Sequence, residues 1–423
     1  MTDKPGYRRP QTGTQPDYLH PTYQSTNLRS PSKPLVYLPH SLSEITGPTI
    51  GAEHVAEKDN DLTAQHDGEP LGERIIIHGR VLDEDGLPVP GILVEIWQAN
   101  AAGRYNHARD LHDAPLDPNF TGTGRTVTDA DGWYQFQTIK PGAYPWGNHH
   151  NAWRPAHIHF SLFGPSILTR LVTQMYFPGD PLLAYDPIYN CVPDTSAKER
   201  LIASFDLEKP FRPTPSVTAG TSCCAAVKPR RWRNKMTLYA TTSHTVGPYY
   251  HIGLTWLNRE TLANELTLGE RVAITGQVVD GNGDVVNDAM LEVWQANAAG
   301  KYDHPEDHQD KPLDPNFEGF GRVPVDAEGR FRFTTIKPGT VPGLKGSTQA
   351  PHLVVLVFAR GLVKHLLTRI YFEGEPANVA DPLLDCVPAE RRQTLLAKAD
   401  ASGVYQWNVV LQGTDAETVF FDY

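Results

Sequence analysis

The segment WQANAAGRY at 97–105 comes back almost letter for letter as WQANAAGKY at 294–302. PLDPNF at 115–120 returns at 312–317, and TIKPG at 138–142 returns at 335–339, all three with one offset. A later piece, YDPIYNCVP around Cys191, matches ADPLLDCVP around Cys386. A repeat this long is a duplicated domain and not a solenoid. It forces whatever one unit folds into to be built twice, and a chain of 423 residues has room for two cores.

Each unit reads as all-β. Ile75 to Leu82 (IIIHGRVL) forms a strand, Asp85-Gly86 a tight turn, and Ile92 to Trp97 the next strand. The second copy gives Val272 to Val279, the turn Asn282-Gly283, then Met290 to Trp294. Tyr134 and Phe136 alternate after Asp131-Gly132, as Phe331 and Phe333 do after Gly329. Short strands between Gly, Pro, Asn and Asp turns predict two homologous β-sandwiches. Helices are few: Ser41 to Thr46, opening on a capping box of Ser41 with Glu44, and short ones at 196–204 and 389–399. The Pro-rich residues 1–70 are expected to wrap over a surface as an arm. Residues 71–209 then make the first sandwich, 210–235 a linker and 236–423 the second.

Chemistry concentrates at 144–160, YPWGNHHNAWRPAHIHF. Residues i and i+2 of a strand share a face, so His157 and His159 can reach one ion together. Imidazole suits iron, copper, zinc and nickel alike. Tyr144 and, upstream, Tyr105 narrow the choice, because phenolate is a hard anionic donor that favours a ferric ion. A phenol ionises near pH 10 in solution, but a trivalent ion beside it makes the deprotonated form the stable one. Two tyrosines with two histidines suit a non-haem Fe(III) site. The plain alternative is two histidines on one sheet face, with tyrosines that merely pack.

The second copy discriminates between these readings. Alignment through KPG sets Tyr144 opposite Val341. Alignment of Phe163 with Phe358 sets His157 opposite His352, His159 opposite Val354 and Arg154 opposite Gln349. Of the four donors only Tyr302 and His352 survive. A fold that needed the other two for packing would not readily take valine at both places. The first unit is therefore expected to hold one iron and the second none.

The pattern WQANAAGRY, PLDPNF, TIKPGAYPW and WRPAHIHF resembles the intradiol ring-cleaving dioxygenases. The first half looks like the β type and the second like the α type of that family's two-subunit members, over almost the whole chain apart from about 210–235. The resemblance implies Fe(III) on Tyr105, Tyr144, His157 and His159, with Tyr144 and His159 axial. It implies cleavage of protocatechuate by O2 to 3-carboxy-cis,cis-muconate, in aromatic catabolism by the β-ketoadipate pathway. Tyr144 would leave the metal when the catechol chelates it, and Arg154 would stabilise negative charge growing on the ring. Trp146, Gln174, Ile188, Tyr23 and Arg29 match pocket positions, and Thr245, Gly247, Pro248, Tyr249 and Arg360 match positions that close the pocket from the α side. A higher homo-oligomer of the paired domains is also implied. Catechol or hydroxyquinol 1,2-dioxygenase is the nearest rival, although those resemble one catalytic domain with a helical dimerisation segment. An extradiol enzyme would need two histidines and a carboxylate on Fe(II), and 144–160 offers no acid. A non-enzymatic β-sandwich binding module has no use for this donor set.

Net charge is −11, so neither nucleic acid nor an anionic membrane is indicated as a partner. MTDKPGYRRPQTG lacks an apolar core for a secretory signal, and no apolar run approaches the ~20 residues that span a bilayer. Cys191, Cys223, Cys224 and Cys386 make no disulfide framework or zinc spacing, which fits the reducing cytoplasm.

One stretch breaks the pattern. Between Lys209 and Met236 the chain has no sandwich alternation, two adjacent cysteines and a basic tail. The second unit ends on a closing strand, YQWNVVLQG at 405–413, and the first has no counterpart. Bases able to encode Ala219 to Val227 spell Trp-Asp-Ile-Val-Leu-Arg-Gly-Arg when read from one base earlier, close to WNVVLQG. This predicts a frameshift near Pro210 that scrambled the end of a β-type subunit and joined it to an α-type frame at Met236. A natural linker with a basic patch is the alternative.

Overall fold

The computed structural model describes residues 9–148, 150–206, 238–413 and 416–423. The first half carries β1 (Val36–Tyr37), α1 (Leu42–Ile45), β2 (Arg74–Arg80), β3 (Leu93–Trp97), β4 (Thr123–Val127), β5 (Trp133–Ile139), β6 (Tyr144–Pro145), β7 (Trp153–Arg154), β8 (His157–Phe163) and β9 (Leu171–Tyr176). Two short helices follow, α2 (Pro187–Asn190) and α3 (Thr195–Glu199). After α4 (His251–Leu254) the series returns as β10 (Arg271–Val279), β11 (Met290–Trp294), β12 (Phe320–Pro324), β13 (Arg330–Ile336), β14 (Val341–Pro342), β15 (Thr348–Gln349), β16 (His352–Phe358) and β17 (Leu366–Phe372). The chain ends with α5 (Pro382–Cys386), β18 (Leu396–Ala399), β19 (Tyr405–Gln406), β20 (Val409–Val410) and β21 (Phe421–Asp422).

In the first half a sheet of order β4-β3-β8-β9 packs against the pair β2-β5. Ile75, Ile77 and Phe136 meet Val94, Ile96, Ile158 and Phe160 between them. Strand β3 reads LVEIW and is buried along its whole length, which requires cover on both faces. Val94 and Ile96 point into the sandwich. Leu93 and Trp97 point the other way, into a core shared with Met290, Trp294 and Phe358 of the second half. The two halves therefore meet across their β3 and β11 sheets.

Four charges are buried at that meeting. Arg322 reaches Glu95 at 3.1 Å and Glu292 at 2.9 Å, and Arg170 holds Glu292 at 2.8 Å, with every one of these side chains at 0–1% exposure. Removing one partner from such a set typically costs 3–5 kcal/mol, roughly, because its counter-charge is stranded. That penalty works against sliding one half on the other.

The two halves differ at one edge. Strand β10 pairs with β13 on one side and with β19 and β20 on the other. Strand β2 pairs with β5, and among the described residues no strand lies along its second edge. Residues 207–237 lie outside the described residues, and the frameshift expected at 210–235 falls among them.

Three expectations change in detail. The helix expected at 196–204 ends at Glu199, and Ile202 instead bridges Tyr176. The arm does not merely wrap a surface: Tyr23, Leu38 and Leu62 are buried, and β1 adds to β21 as a parallel strand. Of the helix expected at 389–399, only Ala389–Leu395 coils, as a 3-10 segment. Leu396–Ala399 is strand β18, because Leu396 pairs with Tyr371 at the sheet edge. Among the described residues no helix is long and apolar enough to cross a membrane.

Candidate metal centre

The alternation that buries Ile158 and Phe160 in the sandwich turns His157, His159 and Ser161 to the other face, where Ser161 bonds Glu95. The histidines thus stand at the seam between the halves. Register fixes each against a neighbour: His159 lies opposite Trp97, and His157 opposite Tyr176. The His159 ring stacks on the Trp97 indole at 4.7 Å, with 9° between the planes. The two-residue ladder of β6 and β7 sets Tyr144 opposite Arg154. Tyr105 enters from the loop after β3, its backbone N–H held by the Asp110 carboxylate at 2.7 Å.

These side chains converge. The Tyr144 hydroxyl is 3.3 Å from His157 Nε2. The Tyr105 and Tyr144 rings meet edge-on at 5.4 Å, and the two imidazoles at 5.0 Å. All four residues are at most 9% exposed. His157 Nδ1 faces the Pro155 carbonyl at 2.7 Å; donating there, it leaves Nε2 as a lone pair aimed into the cluster. The Tyr105 hydroxyl and His159 Nδ1 are buried with no hydrogen-bond partner among the described residues, and such orphans in a polar cluster call for a missing partner.

Burial sets the protonation states. It holds the Tyr105 phenol well above its usual range, with the Tyr144 phenol adding to the rise. Burial also raises Tyr144, against the pull of the Arg154 charge. Both imidazoles sit well below the usual histidine range, from burial first and Arg154 second. The donor set is neutral as it stands, and a trivalent cation among the phenols would reverse their preference. The orphaned hydroxyl, the His157 Nε2 lone pair and the hard oxygen donors all fit a ferric ion. Among the described residues no group of three or more His, Cys, Asp or Glu side chains could hold a metal, so a metal here depends on the phenols.

Arg154 is the charged neighbour. Its Nη1 lies 3.1 Å from His157 Nε2 and 3.5 Å from the Tyr144 hydroxyl. Its Nη2 donates to Gln174 Oε1 at 2.7 Å and Asp186 Oδ2 at 2.9 Å. Although 144–160 contains no acid, the fold brings one beside it: Asp186 is fully buried, but Arg154 and the backbone N–H groups of Ile188 and Tyr189 occupy it.

The remaining residues form walls. Trp146 lies 5.5 Å from the Arg154 guanidinium and 5.7 Å from the Tyr23 ring. Ile188 is buried in one cluster with Tyr23 and Tyr176. From the second half, Tyr249 packs on Tyr105 at 4.7 Å, and half-buried Pro248 precedes it. Gly247 takes the left-handed φ of +73°, and a Cβ there would sit 3.3 Å from His159 Cε1; glycine allows this close approach. The Thr245 carbonyl accepts from Gln174 Nε2 at 3.1 Å. Arg360 is half exposed, and Arg29 is turned toward Asp288 and does not reach the cluster.

Sequence reasoning missed Trp97, Tyr176 and Asp186. All three recur in the second half as Trp294, Tyr371 and Asp381, so the repeat marked them as structural.

The second half has the same frame with other contents. Val354 lies opposite Trp294, and Val341 opposite Gln349. The guanidinium survives but changes strand: Arg154 with Gln174 becomes Gln349 with Arg369, bonded at 2.8 Å. Helix α1 of the arm fills the space, Ser43 Oγ lying 2.8 Å from His352 Nε2 and 2.9 Å from the Tyr302 hydroxyl. Glu44 pairs with Arg369.

Residues 45–218 and 246–413 each match the family model described as Dioxygenase, and residues 7–41 match one described as Protocatechuate 3,4-dioxygenase beta subunit N terminal. The protocatechuate 3,4-dioxygenase beta chain of Burkholderia cepacia is 61% identical over 197 residues, 46% of this chain and 83% of that one. The alpha chain from the same organism is 45% identical over 202 residues, 44% of this chain and 98% of that one. A hydroxyquinol 1,2-dioxygenase from Rhizobium is 33% identical over 40% of this chain and 56% of its own length. The chain belongs to the intradiol ring-cleaving dioxygenase family, with a β-type half followed by an α-type half.

Proposed function

We propose that the chain opens the ring of protocatechuate with O2 between its two hydroxylated carbons, giving 3-carboxy-cis,cis-muconate, at one Fe(III) held by Tyr105, Tyr144, His157 and His159. The observation that carries the reading is the buried convergence of two phenols and two imidazoles beside the Arg154 guanidinium, one phenol having no hydrogen-bond partner among the described residues. Bound there, ferric iron supplies Lewis acidity and accepts electron density from a chelated catecholate, which lets the ring react with O2.

The chain's own groups do the rest. The Tyr144 hydroxyl, within reach of Arg154 Nη1 at 3.5 Å, can hold a proton released by the catechol. The Arg154 charge lies where negative charge grows on the ring, and Gln174 and Asp186 fix its fork before the reaction starts. Tyr249 and Gly247 cover Tyr105 and His159 and exclude water from that side. Tyr23, Trp146, Ile188, Thr245, Pro248 and Arg360 shape the substrate pocket.

The second half takes no iron in this reading. Two of its four donors are valines, and Ser43 stands between the other two. The chain works in the cytoplasm as a higher homo-oligomer. The frameshift reading of 210–235 is supported by the lack of sandwich alternation there and by coverage of the beta relative at 83% against 98% for the alpha relative. An intact open frame encoding this peptide in independent isolates would remove that part.

The test is an iron assay with oxygen uptake. Purified chain should hold one iron, show a tyrosinate-to-iron visible band that shifts on adding protocatechuate, and consume O2 with it faster than with catechol. A colourless, iron-free chain after loading refutes the reading.

A further inference from the structure

Asp288 is buried, with its side chain 3% exposed, and holds two guanidiniums at once. Oδ1 takes Arg29 Nη1 at 2.5 Å and Oδ2 takes Arg360 Nε at 3.2 Å. Arg29 Nη1 also donates to the backbone carbonyl of Arg360 at 2.8 Å. On the next residue, Gly361 N donates to the Tyr23 hydroxyl at 3.0 Å and to Thr245 Oγ1 at 3.2 Å. The turn bearing Arg360 is thus clamped on both sides, largely by the arm. Gly361 has φ +89°, and a Cβ there would strike the Ser25 carbonyl oxygen at 2.3 Å, so only glycine lets the arm lie this close.

The Arg360 charge is felt by the phenols of Tyr23 and Tyr249, and Tyr249 packs on Tyr105. Through Gly361 N, which donates to the Tyr23 hydroxyl and Thr245 Oγ1, the turn carrying Arg360 adjoins the walls of the candidate site. Asp288 occupies its Nε edge, and its side chain is 47% exposed, which leaves the terminal fork available to a planar anion. Two guanidiniums on one carboxylate carry a net charge of +1. With Arg29 absent, Asp288 would cancel Arg360 and the mouth would be neutral. The duplication shows that the fold does not demand this trio, since Asp288 stands opposite Gly91 and Arg360 opposite Pro165.

We propose that Asp288 and Arg29 are positioning residues for substrate choice: Asp288 orients Arg360 toward the carboxylate of an aromatic acid, and Arg29 offsets the Asp288 charge so that Arg360 stays effectively cationic. This rests on the reading that the site takes a carboxylated catechol. Arg29 in this account acts through Asp288 and does not touch the substrate.

The experiment compares wild type, Arg29→Met, Arg29→Gln and Arg29→Met/Asp288→Asn as iron-loaded full-length chains. The ratio of kcat/KM for protocatechuate to that for catechol should fall about tenfold in Arg29→Met, mainly through KM. The double variant restores the net charge and should recover part of the ratio, which a merely structural lesion would not do. Arg29→Gln keeps a donor to Asp288 while removing the charge, and should behave as Arg29→Met does even if the methionine variant folds poorly. Calorimetric binding of benzoate against phenol reads the same preference without turnover. Failure of wild type to cleave protocatechuate would sink the functional reading while the benzoate preference still tests the trio. An unchanged ratio in both Arg29 variants, or a double variant no better than the single, overturns the inference.

Discussion

Replacing Glu44 by alanine would strip the counter-charge from a guanidinium that has no access to water. Arg369 and Glu44 both have side chains at 0% exposure. The other partners of Arg369, the Gln349 carbonyl at 2.8 Å and the Tyr371 hydroxyl at 3.2 Å, are neutral. Breaking a buried pair from one side costs about 3–5 kcal/mol. Glu44 also accepts from Ser41 N at 2.8 Å and Ser41 Oγ at 2.5 Å in the capping box of α1, and loss of a cap adds about 1 kcal/mol. The sum is about 4–6 kcal/mol. At about 2–4 °C per kcal/mol for a domain of this size, the melting point of the second sandwich should drop on the order of 10–20 °C. Calorimetry on the iron-loaded chain reads the shift, and iron content should not change if the proposed donors Tyr105, Tyr144, His157 and His159, all in the other half, are the ones that hold it. Two controls separate charge from packing. Formate should restore part of the loss by entering the vacated space, and Glu44→Ala/Arg369→Met should be more stable than Glu44→Ala alone, since no charge is then stranded. A loss under 1 kcal/mol, or a double variant no better than the single, refutes the reasoning.

Arg154→Lys keeps the charge and loses the fork that reaches Gln174 and Asp186 together; kcat should fall roughly 100-fold with iron retained, and loss of iron instead would show Arg154 to be structural. Tyr105→Phe removes the orphaned hydroxyl and should weaken both iron affinity and the visible band; an unchanged spectrum would remove Tyr105 from the donor set. His244, His352 and His365 are neutral in the fold because burial depresses them, His244 to about 3. The unfolded chain takes up protons on them below about pH 6.5, so stability should fall as pH drops from there, by about 2 kcal/mol by pH 5 for His244 alone; a melting point independent of pH between 7 and 5 contradicts this. If the frameshift reading holds, a chain with the WDIVLRGR strand restored after Pro210 should melt higher and stay more soluble than this one, because an uncovered edge invites aggregation; equal melting counts against a missing closing strand.

How much of this was readable in the chain depends on where the two copies agree. His159 and Tyr144 stood out because the second copy has Val354 and Val341 in their places. Strand periodicity then put His157 beside His159, as β8 does. The sandwich followed from strand and turn chemistry repeated twice. Agreement between copies concealed the rest. Asp186 and Asp381 both cap a short helix by accepting from two backbone N–H groups, so their recurrence reads as a structural requirement. Only folding reveals that Asp186 also holds Arg154. Contacts remote in sequence were equally hidden, as nothing local links Ser43 to His352 or Arg29 to Asp288.

The exchange of Arg154 and Gln174 for Gln349 and Arg369 shows why a column-by-column comparison misjudges the second site. Position by position the arginine is lost; in space a guanidinium persists between the β6–β7 type of ladder and the neighbouring sheet strand. The second site has therefore not collapsed into apolar packing. It kept its tyrosine, histidine, guanidinium and capping aspartate, and the arm supplies a hydroxyl and a carboxylate to satisfy them. A buried polar frame cannot simply be left unpaired, because each orphaned group costs about 1–3 kcal/mol. With valine at two of the corresponding positions, another polar partner is required, and Ser43 with Glu44 fills that role. Among the described residues the first site has no such internal partner on the Tyr105 hydroxyl, and that difference, more than the count of histidines, is what the proposed iron site in the first half rests on.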